Sequence, residues 1–119
     1  MKIESFKELI VWQRAIELVK EIYQATNRLP LSERYGIVSQ MRRAVVSIPS
    51  NIAEGHRRGT RKDFTQFLRI ADGSRSELET QIIIASDLYS QADFSKSADL
   101  LKEVQRMLGT IIKKLNSQP

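Results

Sequence analysis

Apolar and polar positions alternate along this chain at steps of three and four, the period of helices that bury one face. From Leu9 to Asn27 the inward set is Trp12, Ala15, Ile16, Val19, Ile22, Tyr23 and Thr26. Val11, Leu18 and Ala25 form a second, thinner apolar line. One seam is enough for a bundle core, so the extra line implies either burial against a neighbouring subunit or simply a wide stripe. Pro30 ends the segment, because the residue before a proline is biased away from helical conformation. Ser32 is a good N-cap for a second helix with Glu33 in its first turn. At 100° per residue Ile37, Met41, Ala44, Val45, Ile48 and Ile52 share its core face. Gly36 lies early in this helix. Pro49 is the local conflict, because its ring crowds the Val45 carbonyl and supplies no N–H to it. The expectation is a kink or short break, with water or the Ser50 hydroxyl completing the hydrogen bonding.

Gly55 and Gly59 bracket and loosen the corner that follows. Thr60 is placed to cap a third helix, and Asp63 occupies its N3 position as a capping-box variant. Phe64, Phe67, Leu68, Ala71, Ser74, Leu78, Ile82, Ala85, Leu88 and Tyr89 form its seam, with Ile70, Glu77 and Ile84 beside it. Gly73 and Ser74 mark a close approach or a bend. Asp93 or Ser95 caps a fourth helix, with Phe94, Ala98, Leu101, Val104, Leu108, Ile111, Ile112 and Leu115 inward. The final Ser-Gln-Pro should fray.

The predicted helices span about 9–27, 33–57, 61–89 and 94–116, with short connections and no strand-like alternation. That pattern predicts an all-α protein, a single antiparallel up-down-up-down four-helix bundle domain over residues 1–119. A three-helix bundle with a docked extra helix is the weaker reading. The 119 residues suffice to bury a core without staples, and the absence of cysteine removes disulfides and thiolate chemistry. The first residues carry acidic side chains where an export signal would be apolar, and the apolar runs are far short of the ~20 residues a bilayer demands. The expectation is a cytoplasmic protein with no membrane role.

The net charge of +5 is unevenly placed. Arg34 to Arg75 holds nine Lys/Arg against three Asp/Glu, so the positive charge belongs to the middle helices and the corner between them. Such a patch attracts polyanions. Catalytic patterns fail. The sole histidine, His56, follows Glu54 at the wrong spacing for a di-metal carboxylate bundle, and Gly55 to Arg61 does not complete a phosphate loop. No nucleophile with a paired base is visible. The reading is of a non-enzyme without cofactor or metal.

Gln40, Arg43, Ser47, Asn51 and Glu54 fall on one arc beside the core face. One account is structural: Arg43 pairs with Glu77 or Glu79 of the adjoining helix, and Ser47 and Asn51 satisfy groups freed by Pro49. The other makes the stripe a subunit contact or part of a polyanion groove. The structural account is favoured for Arg43, Asn51 and Glu54. For Arg57, Arg58, Arg61 and Lys62 the functional account is favoured, because four cations in six residues repel unless an anion joins them.

The sequence resembles a bacterial four-helix bundle family, the 23S rRNA intervening-sequence proteins. The resemblance is carried by Phe6 to Gln13, Glu33 to Gly36, Gln40 to Ala44, Ser47 to Gly55, Phe64 to Leu68, Ala71, Gly73-Ser74 and Glu77 to Gln81. The accessory variability proteins of diversity-generating retroelements are more distantly similar. The resemblance implies a bundle that assembles into a ring-like homopentamer without enzymatic activity. In the retroelement relatives it implies a positively charged pentamer that binds nucleic acid and a reverse transcriptase.

Together these readings predict an oligomeric, basic, non-catalytic bundle that binds rRNA or another nucleic acid through phosphates. Arg42, Arg57, Arg58, Arg61 and Lys62 are the expected carriers, with His56 and Arg69 peripheral. No aromatic is interleaved in the corner, so weak sequence selectivity and strong salt dependence are expected. The alternative is a protein-interaction scaffold, for a reverse transcriptase or another nucleic-acid-processing protein, with no direct nucleic-acid role.

Overall fold

The computed structural model describes residues 5–117, and within them it is built from four long helices. These are α1 (Ile10–Thr26), α2 (Ile37–Arg58), α3 (Arg61–Leu88) and α4 (Ser95–Asn116), with single 3-10 turns at Phe6–Glu8 and Leu31–Glu33. Each helix packs on its chain neighbours and α1 closes on α4, while no diagonal pair comes close, so the described residues form a four-cornered bundle. The rod measures 49 × 21 × 21 Å. The most extensive packing is between α2 and α3, the pair that flanks the basic corner. The expected fraying of the tail concerns Gln118 and Pro119, which lie outside the described residues.

The core positions along the bundle axis alternate at steps of three and four, with Thr26, Ala44, Pro49, Thr65 and Gln81 buried beside them. In α1 they are Val11, Ala15, Leu18, Ile22 and Ala25, and in α2 Val38, Met41, Val45, Ile48, Ile52 and Gly55. In α3 they are Leu68, Ala71, Arg75, Leu78, Ile82 and Ala85, and in α4 Ser97, Leu101, Val104 and Leu108. This is the seam of coiled-coil packing. It corrects the reading of the first helix. Val11, Leu18 and Ala25 are the bundle's own core and not a line left over for a neighbouring subunit. Trp12, Ile16 and Val19 sit at its rim, Trp12 edge-on to Phe6, and Tyr23 is exposed.

Three local expectations are also revised. Ser32 belongs to the 3-10 turn, and α2 begins after Gly36. The helix runs unbroken through the buried Pro49. The Asn51 amide does bond a carbonyl nearby, at 2.8 Å, but that carbonyl is Ser47's rather than the Val45 oxygen the proline orphans. Gly55 is no loose hinge, because a Cβ there would stand 2.6 Å from the Phe67 Cβ, so glycine is what lets α2 and α3 touch. Gly59 is the true breaker, in the left-handed conformation at φ 83° that closes helices. Thr60 caps α3 as expected, its hydroxyl accepting the Asp63 N–H at 3.1 Å. Asp93 likewise accepts the Ser95 N–H at 3.0 Å, which holds its carboxyl below the usual range.

Candidate nucleic-acid interface

The corner is built from two opposed helix ends. His56, Arg57 and Arg58 form the last turn of α2, where cations complement the negative end of the helix dipole. Arg61 and Lys62 open α3, the positive end, where a cation is disfavoured and an anion is welcome. Dipole matching therefore accounts for the α2 cations but not for those of α3. All four Arg/Lys side chains are exposed. Arg57 and Lys62 make no ion pair among the described residues. Arg58 does, its Nε 3.0 Å from Glu54, and its guanidinium also lies 5.2 Å from the Phe67 ring centre. Both members of the Arg58–Glu54 pair are 53% exposed, so the pair is solvent-screened and holds little energy. His56 is half-buried, edge-to-face on Phe64 with ring centres 5.8 Å apart, and so packs rather than projects. Arg69 is exposed two turns further along α3.

Arg42 is placed differently from the corner group. Its Nε donates to the Thr26 hydroxyl and its Nη2 to the Asn27 side chain, both at 3.0 Å, and the guanidinium stacks 4.5 Å from the Tyr23 ring centre. It ties α2 to the end of α1. Along α2, at 1.5 Å per residue, it stands about 22 Å from Arg57.

The polar stripe is partly assembled as expected. The Ser47 and Ser74 hydroxyls meet at 2.8 Å across α2 and α3, and Asn51 donates to the Ser47 hydroxyl at 2.9 Å. Gln40, Arg43 and Glu77 line a groove over this pair. The anticipated ion pair is not formed. Arg43 is exposed and has no carboxylate within pairing distance among the described residues, while Glu79 is taken by Arg75 at 2.7 Å. Arg75, which the sequence pattern did not single out, occupies a core position of α3 at 7% exposure. It also binds Asp72, at 2.9 Å. Its spacing from Ala71 and Leu78 was the available signal, and charge argued against it. The structure thus joins Ser47 and Asn51 with Ser74, and Arg58 with Glu54. It separates Arg42 from the corner and Arg43 from both predicted acids.

Among the described residues no group of acidic or histidine side chains could hold a metal, and no helix is long and apolar enough to cross a membrane. Compared with known proteins, residues 7–110 match the profile of the family described as 23S rRNA-intervening sequence protein. The match covers most of the chain, which therefore belongs to that family. No curated protein matches at a significant level. The family's description carries no enzymatic activity.

Proposed function

We propose that this member of the 23S rRNA-intervening sequence protein family is a non-enzymatic bundle that binds RNA or another nucleic acid through its phosphates. The observation that carries the reading is the corner itself. Arg57, Arg58, Arg61 and Lys62 stand exposed around the Gly59 turn, and Glu54, the carboxylate paired with Arg58, is itself half in water. Two of these cations lie at the helix end that favours anions. Phosphates fit this arrangement better than a compact acidic ligand, because the exposed cations are spread over the ends of two helices. Arg69 extends the track along α3. Arg42 contributes charge from a distance and His56 supports the corner by packing.

Assembly into a ring-like homo-oligomer, a pentamer by the family resemblance, is part of this proposal. Its support is the outward side of α3, where Ile70, Ile84 and Leu88 are exposed on one face with Glu77. Ile70, Glu77 and Ile84 recur every seven residues, the repeat of a helix that meets another helix. A ring would multiply the basic corners and strengthen binding to a long polyanion by avidity.

Filter binding of ribosomal RNA fragments over a salt series tests the proposal. Binding should weaken steeply with salt, log affinity falling by about 0.9 per phosphate neutralised on a duplex. The double variant Arg57→Ala/Lys62→Ala should lose affinity equally for all sequences. Binding that is absent, or insensitive to salt, overturns the reading. Light scattering of the same protein decides the subunit number.

A further inference from the structure

At the other end of α2, and far from the basic corner, the fold assembles an open hollow of about 450 Å³ lined by Tyr23, Arg34, Tyr35, Ser39, Arg42 and Arg43, together with Val38 and Val46. Its volume lies within the ~300–1,000 Å³ of small-molecule sites. No carboxylate lines it. Tyr35 is 90% exposed on the turn before α2. Arg34 lies at the edge of stacking distance, 6.0 Å from that ring centre. Across the hollow, Arg42 is already fixed in place by Thr26 and Asn27 and covers one face of Tyr23. Arg34 and Arg43 have no acidic partner among the described residues. An exposed tyrosine ring offers a stacking face, and the arginines lining the same hollow have no carboxylate in it to match their charge. A flat, anionic ligand suits both.

We propose that this hollow binds an unpaired nucleotide of single-stranded RNA or DNA, with the base stacked on Tyr35 and the adjoining phosphates held by Arg34 and Arg43. Interleaved aromatics and cations are the elements of a single-strand groove. A duplex buries its base faces and cannot use Tyr35, so the hollow adds a preference for unpaired segments that the phosphate-binding corner lacks. The proposal shares its ligand class with the proposed function but rests on different residues, and the two fail separately.

Fluorescence anisotropy with three probes tests it: an eight-nucleotide oligouridylate, an abasic strand with the same number of phosphates, and a duplex RNA. The oligouridylate should bind roughly tenfold more tightly than the abasic strand. Tyr35→Ala should abolish that gap and leave duplex affinity unchanged, and Tyr35→Phe should retain it, because the ring and not the hydroxyl stacks. Arg57→Ala/Lys62→Ala should weaken the oligouridylate and the abasic strand alike and keep the gap. The proposal is overturned if the two strands bind equally to the parent protein, or if Tyr35→Ala preserves the gap. It is also overturned if Tyr35→Ala reduces the sedimentation mass, since the ring then lies against a second copy of the chain. A persistent gap with no duplex binding would remove the corner and keep the hollow.

Discussion

Gly55 of α2 lies so close to Phe67 of α3 that a Cβ on the glycine would stand 2.6 Å from the Phe67 Cβ and 3.2 Å from the Phe64 ring. Both Cβ atoms are fixed to backbone, so neither side can rotate away, and the helices must separate. Overpacking of this kind costs about 1–3 kcal/mol, against about 1 kcal/mol of helix propensity gained by replacing glycine. Gly55→Ala should therefore lose up to about 2 kcal/mol in urea unfolding. Gly73 is the internal control, because it is helical with open space where a Cβ would go. Gly73→Ala should gain about 0.5–1 kcal/mol. Opposite signs for two glycines predicted alike by propensity would locate the tight helix crossing in solution.

A second prediction separates adjacent arginines. Arg42 donates to Thr26 and Asn27 and stacks on Tyr23, whereas Arg43 points to an open groove without a paired acid among the described residues. Arg42→Ala should lower stability by about 1–2 kcal/mol, the scale of lost charged hydrogen bonds at a partly buried site. Arg43→Ala should stay within about 0.5 kcal/mol. Thermal unfolding of the two variants distinguishes them. Comparable losses would mean that Arg43 finds a partner in the assembled protein.

This pair also shows where reading the sequence stops. Helical phase placed Arg43 on the stripe beside the core and Arg42 outside it, yet Arg43 lines the groove exposed while Arg42 is half-buried. Phase carries no information about the end of α1, which the 3-10 turn at Leu31–Glu33 brings back over Arg42. The four helices, the Thr60 cap and the Ser47–Asn51 contact depend on local chemistry, and these were legible. The centre of a wide apolar stripe was not, since Trp12, Ile16 and Val19 compete with Val11, Leu18 and Ala25 until α4 is in place. Arg75 was hidden for a related reason. Its charge suggests solvent, but Asp72 and Glu79 on its own helix draw the guanidinium out to the rim while the aliphatic stem fills a core position. The Tyr35 hollow gathers residues from α1, the connecting turn and α2, so no window of sequence contains it.

The Tyr89 hydroxyl donates to the Glu33 carboxylate, which fastens the end of α3 to the α1–α2 connection. A phenol giving its proton to a carboxylate resists ionisation, and the hydrogen bond to Glu33 is the main reason that the Tyr89 pKa lies above the ordinary value of 10.0. The folded pKa is thus higher than the unfolded one. The contact's stabilisation is complete below about pH 10 and is lost as pH rises through the folded value. Tyrosinate absorbance should show Tyr89, identified by comparison with Tyr89→Phe, titrating above 10, and Glu33→Gln should bring it down. An unchanged midpoint in Glu33→Gln would show that the contact does not form in solution.

Glu54 is the carboxylate paired with Arg58 in the basic corner, and its removal should change binding more than folding. Its bond to Arg58 spans one helical turn between half-exposed groups, so Glu54→Gln should alter stability by no more than about 0.5 kcal/mol. For a polyanion the same change matters in two ways. It deletes a repulsive charge beside the phosphates and returns the Arg58 guanidinium to the surface. Affinity for duplex RNA should then rise, and the slope of log affinity against log salt should steepen by up to about 0.9, the value of one added phosphate contact. Arg58→Ala in the Glu54→Gln background should cancel that extra slope, because no freed guanidinium remains to meet a phosphate. Weaker binding by Glu54→Gln would instead mean that the Glu54–Arg58 pair holds the corner in its binding geometry, and that the cations act through the shape of the turn rather than through their number.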